Sequence, residues 1–137
     1  MTLKSHHTKT VLVVDDEPAI RMMIYRILTG QGYHVLEAGD GLAALDVLRG
    51  PHRVDLLLTD LVMPRMGGAE LVVESNKLVP DLKVICISGK IPMDSGPFSR
   101  LAEAFDVKSC LEKPFEPAAL IAKVRASIGH PTNTVEL

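Results

Sequence analysis

Residues 54–68 read V-D-L-L-L-T-D-L-V-M-P-R-M-G-G, and this stretch decides the fold. Val54, Leu56, Leu57 and Leu58 form a short apolar run, too brief for a membrane-spanning helix and suited to a strand buried on both faces. The run stops at Asp60, after which Met63, Pro64, Gly67 and Gly68 signal a loop. An open α/β sheet keeps its ligand chemistry at the carboxyl ends of its strands, so Asp60 stands where such chemistry is expected. Asp60 equally suits a plain polar strand terminus, and the rest of the chain has to decide between the two.

Upstream, residues 10–14 (T-V-L-V-V) form a second short β-branched run, ending at Asp15-Asp16-Glu17. Pro18 then opens a helix at the position where its missing N–H costs nothing. Ile20, Met23, Ile24, Ile27 and Leu28 repeat as one apolar stripe, which Gly30 and Gly32 stop. Residues 33–38 read as a weaker strand, interrupted by His34 and Glu37. Asp40 is the expected N-cap of a second helix with Leu42, Leu45 and Leu48 on its stripe, closed by Gly50-Pro51.

Downstream, Leu71, Val72, Leu78 and Val79 mark a third helix ending near Pro80. Residues 84–87 form a strand terminated by Ser88-Gly89. Residues 90–97, with two prolines and a glycine, read as a loop, and residues 98–105 as a short fourth helix. Residues 109–111 give a brief fifth strand before Lys113-Pro114, and Leu120, Ile121, Val124 and Ile128 give the last helix. Strands alternating with helices require a five-stranded parallel sheet covered on both faces through right-handed crossovers. The expected architecture is flavodoxin-like, (βα)5, strand order 2-1-3-4-5, over residues 10–129. A disordered arm at 1–9 and a polar tail at 130–137 are expected to flank it.

Composition narrows the classes. Of 137 residues, 47% are hydrophobic but only 4% aromatic, which predicts an aliphatic core. A net charge of −2 advertises neither a nucleic-acid nor a membrane partner. No apolar run approaches the ~20 residues of a transmembrane helix, and residues 1–9 lack the apolar middle of a signal peptide, so a cytoplasmic address is expected. Cys86 and Cys110 have no C-x-x-C spacing and are expected to be two buried, reduced thiols.

In a parallel sheet all strand ends of one kind share an edge. Asp15-Asp16-Glu17, Asp60, Ser88 and Lys113 therefore converge, and only the second, outermost strand adds nothing. Each has an ordinary reading: acids at a helix N-terminus, a turn serine, a solvated lysine. Their joint arrival at one edge is harder to read that way. Carboxylates about 5 Å apart repel by roughly 3 kcal/mol per pair at an effective dielectric of 20, and three pairs approach the whole stability of a domain. Lys113 supplies one compensating charge, and a hard divalent cation, Mg²⁺ above all, supplies the rest. Such a pocket suits phosphoryl transfer to an aspartate, with Asp60 as the carrier and Ser88 and Lys113 meeting the phosphoryl oxygens.

Asp15-Asp16, Asp60 in D-x-x-M-P, Ser88-Gly89 and Lys113-Pro114 together resemble the receiver domain of bacterial two-component response regulators, in its single-domain, CheY-like form. The resemblance covers residues 9–128. It implies that Asp60 accepts phosphate from a phosphohistidine on a sensor histidine kinase or histidine phosphotransfer protein. It implies Mg²⁺ on Asp16, Asp60 and the backbone carbonyl of Val62, with Asp15 acting mostly through water. Lys113 would pair with Asp60 or its phosphate, Ser88 would be the switch hydroxyl, and the Lys113-Pro114 bond would be cis.

The chain departs from the family at Cys110, where an aromatic residue usually swings inward as the switch hydroxyl moves. A small thiol cannot swing, so the output is expected to run through residues 90–97 and the short helix after them. Gly89 should leave the pocket open to water or a partner, as a short-lived phosphoryl group or onward transfer would need. Met22 and Tyr25 lie off the first helix's stripe and are expected to dock a kinase helix pair, or else to be partly buried.

The resulting expectation is a phosphoprotein of a two-component phosphorelay, promoting its own phosphorylation and dephosphorylation rather than acting on a separate substrate. With eight residues after Gly129, no output module is expected. It would signal to a downstream protein target, pass phosphate onward, or be the receiver piece of a longer protein such as a hybrid histidine kinase. Two rivals fit less well. A small Mg²⁺-dependent aspartyl-phosphate phosphatase wants D-x-D after the first strand, where this chain has D-D-E. A flavin-binding module wants a glycine- and hydroxyl-rich phosphate loop there instead of three acids.

Overall fold

The computed structural model describes residues 4–63, 66–89 and 109–136. In chain order the described elements are β1 (Lys4–Thr8), β2 (Thr10–Val14), α1 (Pro18–Gly30), β3 (His34–Ala38), α2 (Gly41–Arg49), β4 (Leu56–Asp60), α3 (Gly68–Leu78), β5 (Lys83–Ser88), β6 (Ser109–Glu112), α4 (Pro117–Ile128) and β7 (Thr132–Glu136). The main sheet is parallel throughout, in the order β3-β2-β4-β5-β6, which is the expected 2-1-3-4-5. The loop and short helix expected at 90–97 and 98–105 lie outside the described residues.

Alternation along the strands sorts the core onto two faces. Val11, Val13, Leu56, Leu58, Ile85 and Ile87 pack with Ile24 and Leu28 of α1 and Leu120 and Val124 of α4. Leu12, Val14 and Leu57 point the other way, onto Ala44, Leu45 and Leu48 of α2 and Leu71 of α3. Both faces being covered is why the strands read as unbroken apolar runs. Each fully buried aliphatic side chain contributes roughly 1.5–3 kcal/mol.

Helix boundaries follow their signals. Pro18 stands in the first turn of α1, and Asp40 caps α2 by accepting the Ala43 N–H at 2.9 Å. After α1 the chain reverses at Gly32, whose φ of +100° suits glycine, and the Pro131 ring packs against that glycine. Leu42 and Leu78 correct the expected stripes: both are exposed. The buried face of α2 runs instead through Gly41, Ala44, Leu45 and Leu48, and that of α3 through Gly68, Leu71, Val72 and Ser75.

The chain ends also depart from expectation. Within the stretches expected as a disordered arm and a polar tail, β1 and β7 pair as a two-stranded antiparallel ribbon, Lys4 opposite Glu136 through Thr8 opposite Thr132. Because α4 runs back toward the strand starts, its exit lies beside the entry to β2. The Lys9 N–H donates to the Pro131 carbonyl at 2.7 Å, and the Tyr33 hydroxyl to the Gly129 carbonyl at 2.7 Å. Among the described residues no helix is long and apolar enough to cross a membrane.

Candidate functional site at the carboxyl edge of the sheet

Each expected site residue is delivered by a strand end. Asp15 follows β2, Asp60 and Ser88 are the last residues of β4 and β5, and Lys113 follows β6. The Lys113 N–H donates to the Ser88 carbonyl at 2.7 Å, tying the β6 exit to the β5 exit, and the Lys113-Pro114 bond is cis. Asp16, Glu17, Asp60, Val62, Ser88, Gly89 and Lys113 line one open cavity of about 510 Å³.

The lysine is the centre of the arrangement. Its Nζ lies 2.9 Å from Asp15 Oδ2, 3.1 Å from Asp60 Oδ2 and 3.1 Å from Glu17 Oε1. The other oxygens of the two buried aspartates face backbone donors: Asp15 Oδ1 accepts the Glu17 N–H at 2.9 Å, and Asp60 Oδ1 the Val62 N–H at 3.2 Å. Asp15 is fully buried and Asp60 nearly so, whereas Asp16 is exposed at the cavity mouth.

Burial pushes the Asp15 carboxyl above its ordinary range, against the pull of the Glu17 N–H and Lys113. Burial also works against the Lys113 ammonium, but its contacts with Asp15, Asp60 and Glu17 outweigh that and hold it above its usual range. One lysine thus leaves Asp15 under-compensated. Asp15 Oδ2 carries the same message: Lys113 approaches it as an ion contact, yet this buried oxygen has no aligned hydrogen bond among the described residues. Carboxylate oxygens of Asp15, Asp16 and Asp60 all lie within 4.8 Å of one another. An all-oxygen donor set of this charge, only partly offset by one lysine, fits a hard divalent cation.

Glu17 is expected at this edge with the other acids, but its contact with Lys113, 96 residues away, appears only in the fold. Three further contributors are not legible as such. Arg21 donates to the Asp15 carbonyl at 2.7 Å and lies 3.5 Å from Glu37, pinning the acidic loop through a backbone atom that no side-chain pattern encodes. Gly68 reads as loop, but it opens α3 hard against β4: a Cβ there would fall on the Asp60 carbonyl and within 2.7 Å of Leu61 Cα. Met66 packs just as closely against Gly41, where a Cβ would meet its side chain at 2.8 Å.

Cys110 does not line the cavity. It sits beside Cys86 on the neighbouring strand, only partly buried where full burial was expected, and both thiols are free.

A 2-1-3-4-5 parallel sheet with three carboxylates and a lysine gathered on its carboxyl edge defines a receiver-type signalling domain. Residues 11–125 match the response regulator receiver domain family, and the chain belongs to it. It is 33% identical over 116 residues to the response regulator receiver protein CpdR of Brucella abortus (strain 2308), covering 85% of this chain and 93% of that protein. It is 40% identical over 119 residues to the sensor kinase CckA of the same organism, there covering 76% of this chain but 13% of the kinase. The chain also superposes on the response regulator TrrA of Thermotoga maritima, solved in complex with Mg²⁺-BeF, with a TM-score of 0.74 and 31% identity over 86% of this chain and 97% of that one.

Proposed function

We propose that this chain accepts a phosphoryl group on Asp60 from the phosphohistidine of a sensor histidine kinase or histidine phosphotransfer protein, in a Mg²⁺-dependent reaction. The observation that carries this reading is the Lys113 ammonium, 3.1 Å from Asp60 Oδ2 at the mouth of an acidic cavity. An Asp60 oxygen forms the new P–O bond as the P–N bond to the donor imidazole breaks, and the electron pair leaves with the imidazole. Lys113 then neutralises a phosphoryl oxygen and the Ser88 hydroxyl donates to another.

Asp15, Asp16 and Asp60, with the Val62 carbonyl, are the residues that would hold Mg²⁺, Asp15 mostly through water. Bound there, the ion supplies the positive charge that offsets the crowded carboxylates and the incoming phosphoryl oxygens. The Mg²⁺-BeF complex of the TrrA relative supports this choice of metal.

Met22 and Tyr25, exposed on α1, offer an apolar docking stripe for the donor's helix pair. A phosphohistidine donor and a downstream protein target imply a cytoplasmic setting with neither nucleic acid nor membrane as partner. The functional unit is residues 10–129, with the terminal ribbon appended. Around Gly89 a Cβ would meet nothing within 4 Å, which favours water or a second histidine reaching the phosphoryl group, and hence self-dephosphorylation or onward transfer.

The test is incubation with acetyl phosphate and Mg²⁺, followed by intact mass. A single phosphoryl adduct is expected on the native chain, absent from Asp60→Asn and absent in EDTA. A Mg²⁺-independent adduct that persists in Asp60→Asn would overturn the assignment.

A further inference from the structure

Cys86 and Cys110 take no part in the acidic site, yet the fold makes them a pair. They are register partners on β5 and β6. Neighbouring strands run about 4.8 Å apart, inside the roughly 4.4–6.8 Å that a disulfide spans between Cα atoms. Both side chains project onto the same face, in a small cluster with Val72, Leu61, Val73 and Val84.

The two are chemically unequal. Cys86 is fully buried, and Cys110 is partly exposed. The neighbouring Cys86 lowers the Cys110 thiol below its ordinary range, and the Lys123 ammonium adds to this against the opposing effect of burial. Cys110 in turn, together with burial, pushes Cys86 up. A partly exposed thiol beside a sheltered one is the arrangement in which one sulfur reacts and the other resolves.

We propose that Cys86 and Cys110 form a redox site, oxidised by hydroperoxides to an intramolecular disulfide. The Cys110 thiolate attacks the terminal peroxide oxygen, the O–O bond breaks, and the alkoxide or hydroxide leaves, giving Cys110 sulfenic acid. The Cys86 sulfur then forms the S–S bond as the S–O bond breaks. The departing hydroxide takes the Cys86 proton as water. The two electrons lost by the thiols reduce the peroxide, and a dithiol restores the pair. The bond would staple β5 to β6, the strands that end in Ser88 and lead to Lys113.

The thiol chemistry stands apart from the phosphoryl reading, and its test does not need it. The reduced chain is exposed to hydrogen peroxide without denaturant, blocked with N-ethylmaleimide and weighed intact. The expected product is a monomer lighter by two hydrogens with neither thiol blocked, restored by dithiothreitol. In Cys86→Ser, dimedone should label Cys110. In Cys110→Ser, Cys86 should be consumed at least about tenfold more slowly than the native pair, because its thiolate fraction is small. Sulfinic acid on Cys110 with Cys86 still blockable, disulfide-linked dimers, or no loss of thiol while added glutathione is consumed would each overturn the proposal. Should Cys86→Ser not fold, the native chain's mass decides alone.

Discussion

The Lys113 ammonium is 3.1 Å from Asp60 Oδ2, joining residues 53 positions apart across three strand ends. The same nitrogen also contacts Asp15 and Glu17, so a single cation serves three carboxylates. Lys113 is only 15% exposed, which keeps solvent from screening these contacts as it does at an open surface. Removing it strands two buried acids. Lys113→Met is expected to lower stability by about 3 kcal/mol in EDTA, the scale for breaking a buried ion pair. Urea unfolding checks this, and saturating Mg²⁺ should return more stability to the variant than to the native chain. The sign with pH follows from the raised lysine: its contribution is fully present below 10.5 and is lost only as pH rises through the higher folded value. The deficit of the variant should therefore be constant from pH 6 to 9, and a deficit that closes within that range would contradict the assignment.

Asp60→Asn acts in the opposite direction. It removes one of the crowded charges while Lys113 keeps Asp15 and Glu17. Without Mg²⁺ the variant should be more stable than the native chain by about 1 kcal/mol, and the gain should shrink as Mg²⁺ is added. Equal urea midpoints with and without the metal for both proteins would show that carboxylate crowding is not the controlling strain.

Gly68 is fixed by space. Gly68→Ala would drive a methyl into the Asp60 carbonyl and the Leu61 backbone, so α3 or the end of β4 must move. A loss of roughly 3 kcal/mol is expected, with weaker phosphorylation from acetyl phosphate because Asp60 is displaced. Gly67→Ala is the control: its nearest neighbour would be 3.6 Å away, and its φ of −71° suits any residue. That variant should unfold within about 0.5 kcal/mol of the native chain.

The contrast between these two glycines shows where the sequence stops informing. Periodicity carried the sheet because both faces of β2 and β4 are covered, so Val11 to Val14 and Leu56 to Leu58 could not be anything but apolar. Topology then carried the site, since a parallel sheet sends Asp60 and Lys113 to one edge whatever the loops do. Contacts made through the backbone left no such trace. Arg21 meets a carbonyl, and Gly68 is needed because main chain passes beside it. The terminal ribbon was missed because its pairing depends on where α4 ends, a distance that local polarity does not encode.

Gly89 should set how long a phosphoryl group survives. A side chain there enters open space, so Gly89→Val should fold as the native chain does and partly cover the cavity mouth. Excluding water from the acyl phosphate is expected to lengthen its lifetime about two- to fivefold. Decay of the adduct after removal of acetyl phosphate, followed by intact mass, measures it. An unchanged lifetime would mean that access past residue 89 does not limit hydrolysis.

Cys110 offers a second pH signature, independent of the acidic rim. Its thiol is lowered chiefly by the neighbouring Cys86, with Lys123 assisting. A thiol lowered on folding contributes stability that is fully present above 9.0 and is lost as pH falls through its folded value. Iodoacetamide reacts with the thiolate, so the alkylation rate of Cys110 should rise with a midpoint below 9.0 in the native chain. Cys86→Ala removes that neighbour and should move the midpoint upward, whereas Lys123→Gln should move it upward by less, because Cys86 is the larger of the two lowering influences. If Lys123→Gln produced the larger shift, the ammonium rather than the neighbouring thiol would be what holds Cys110 ionised.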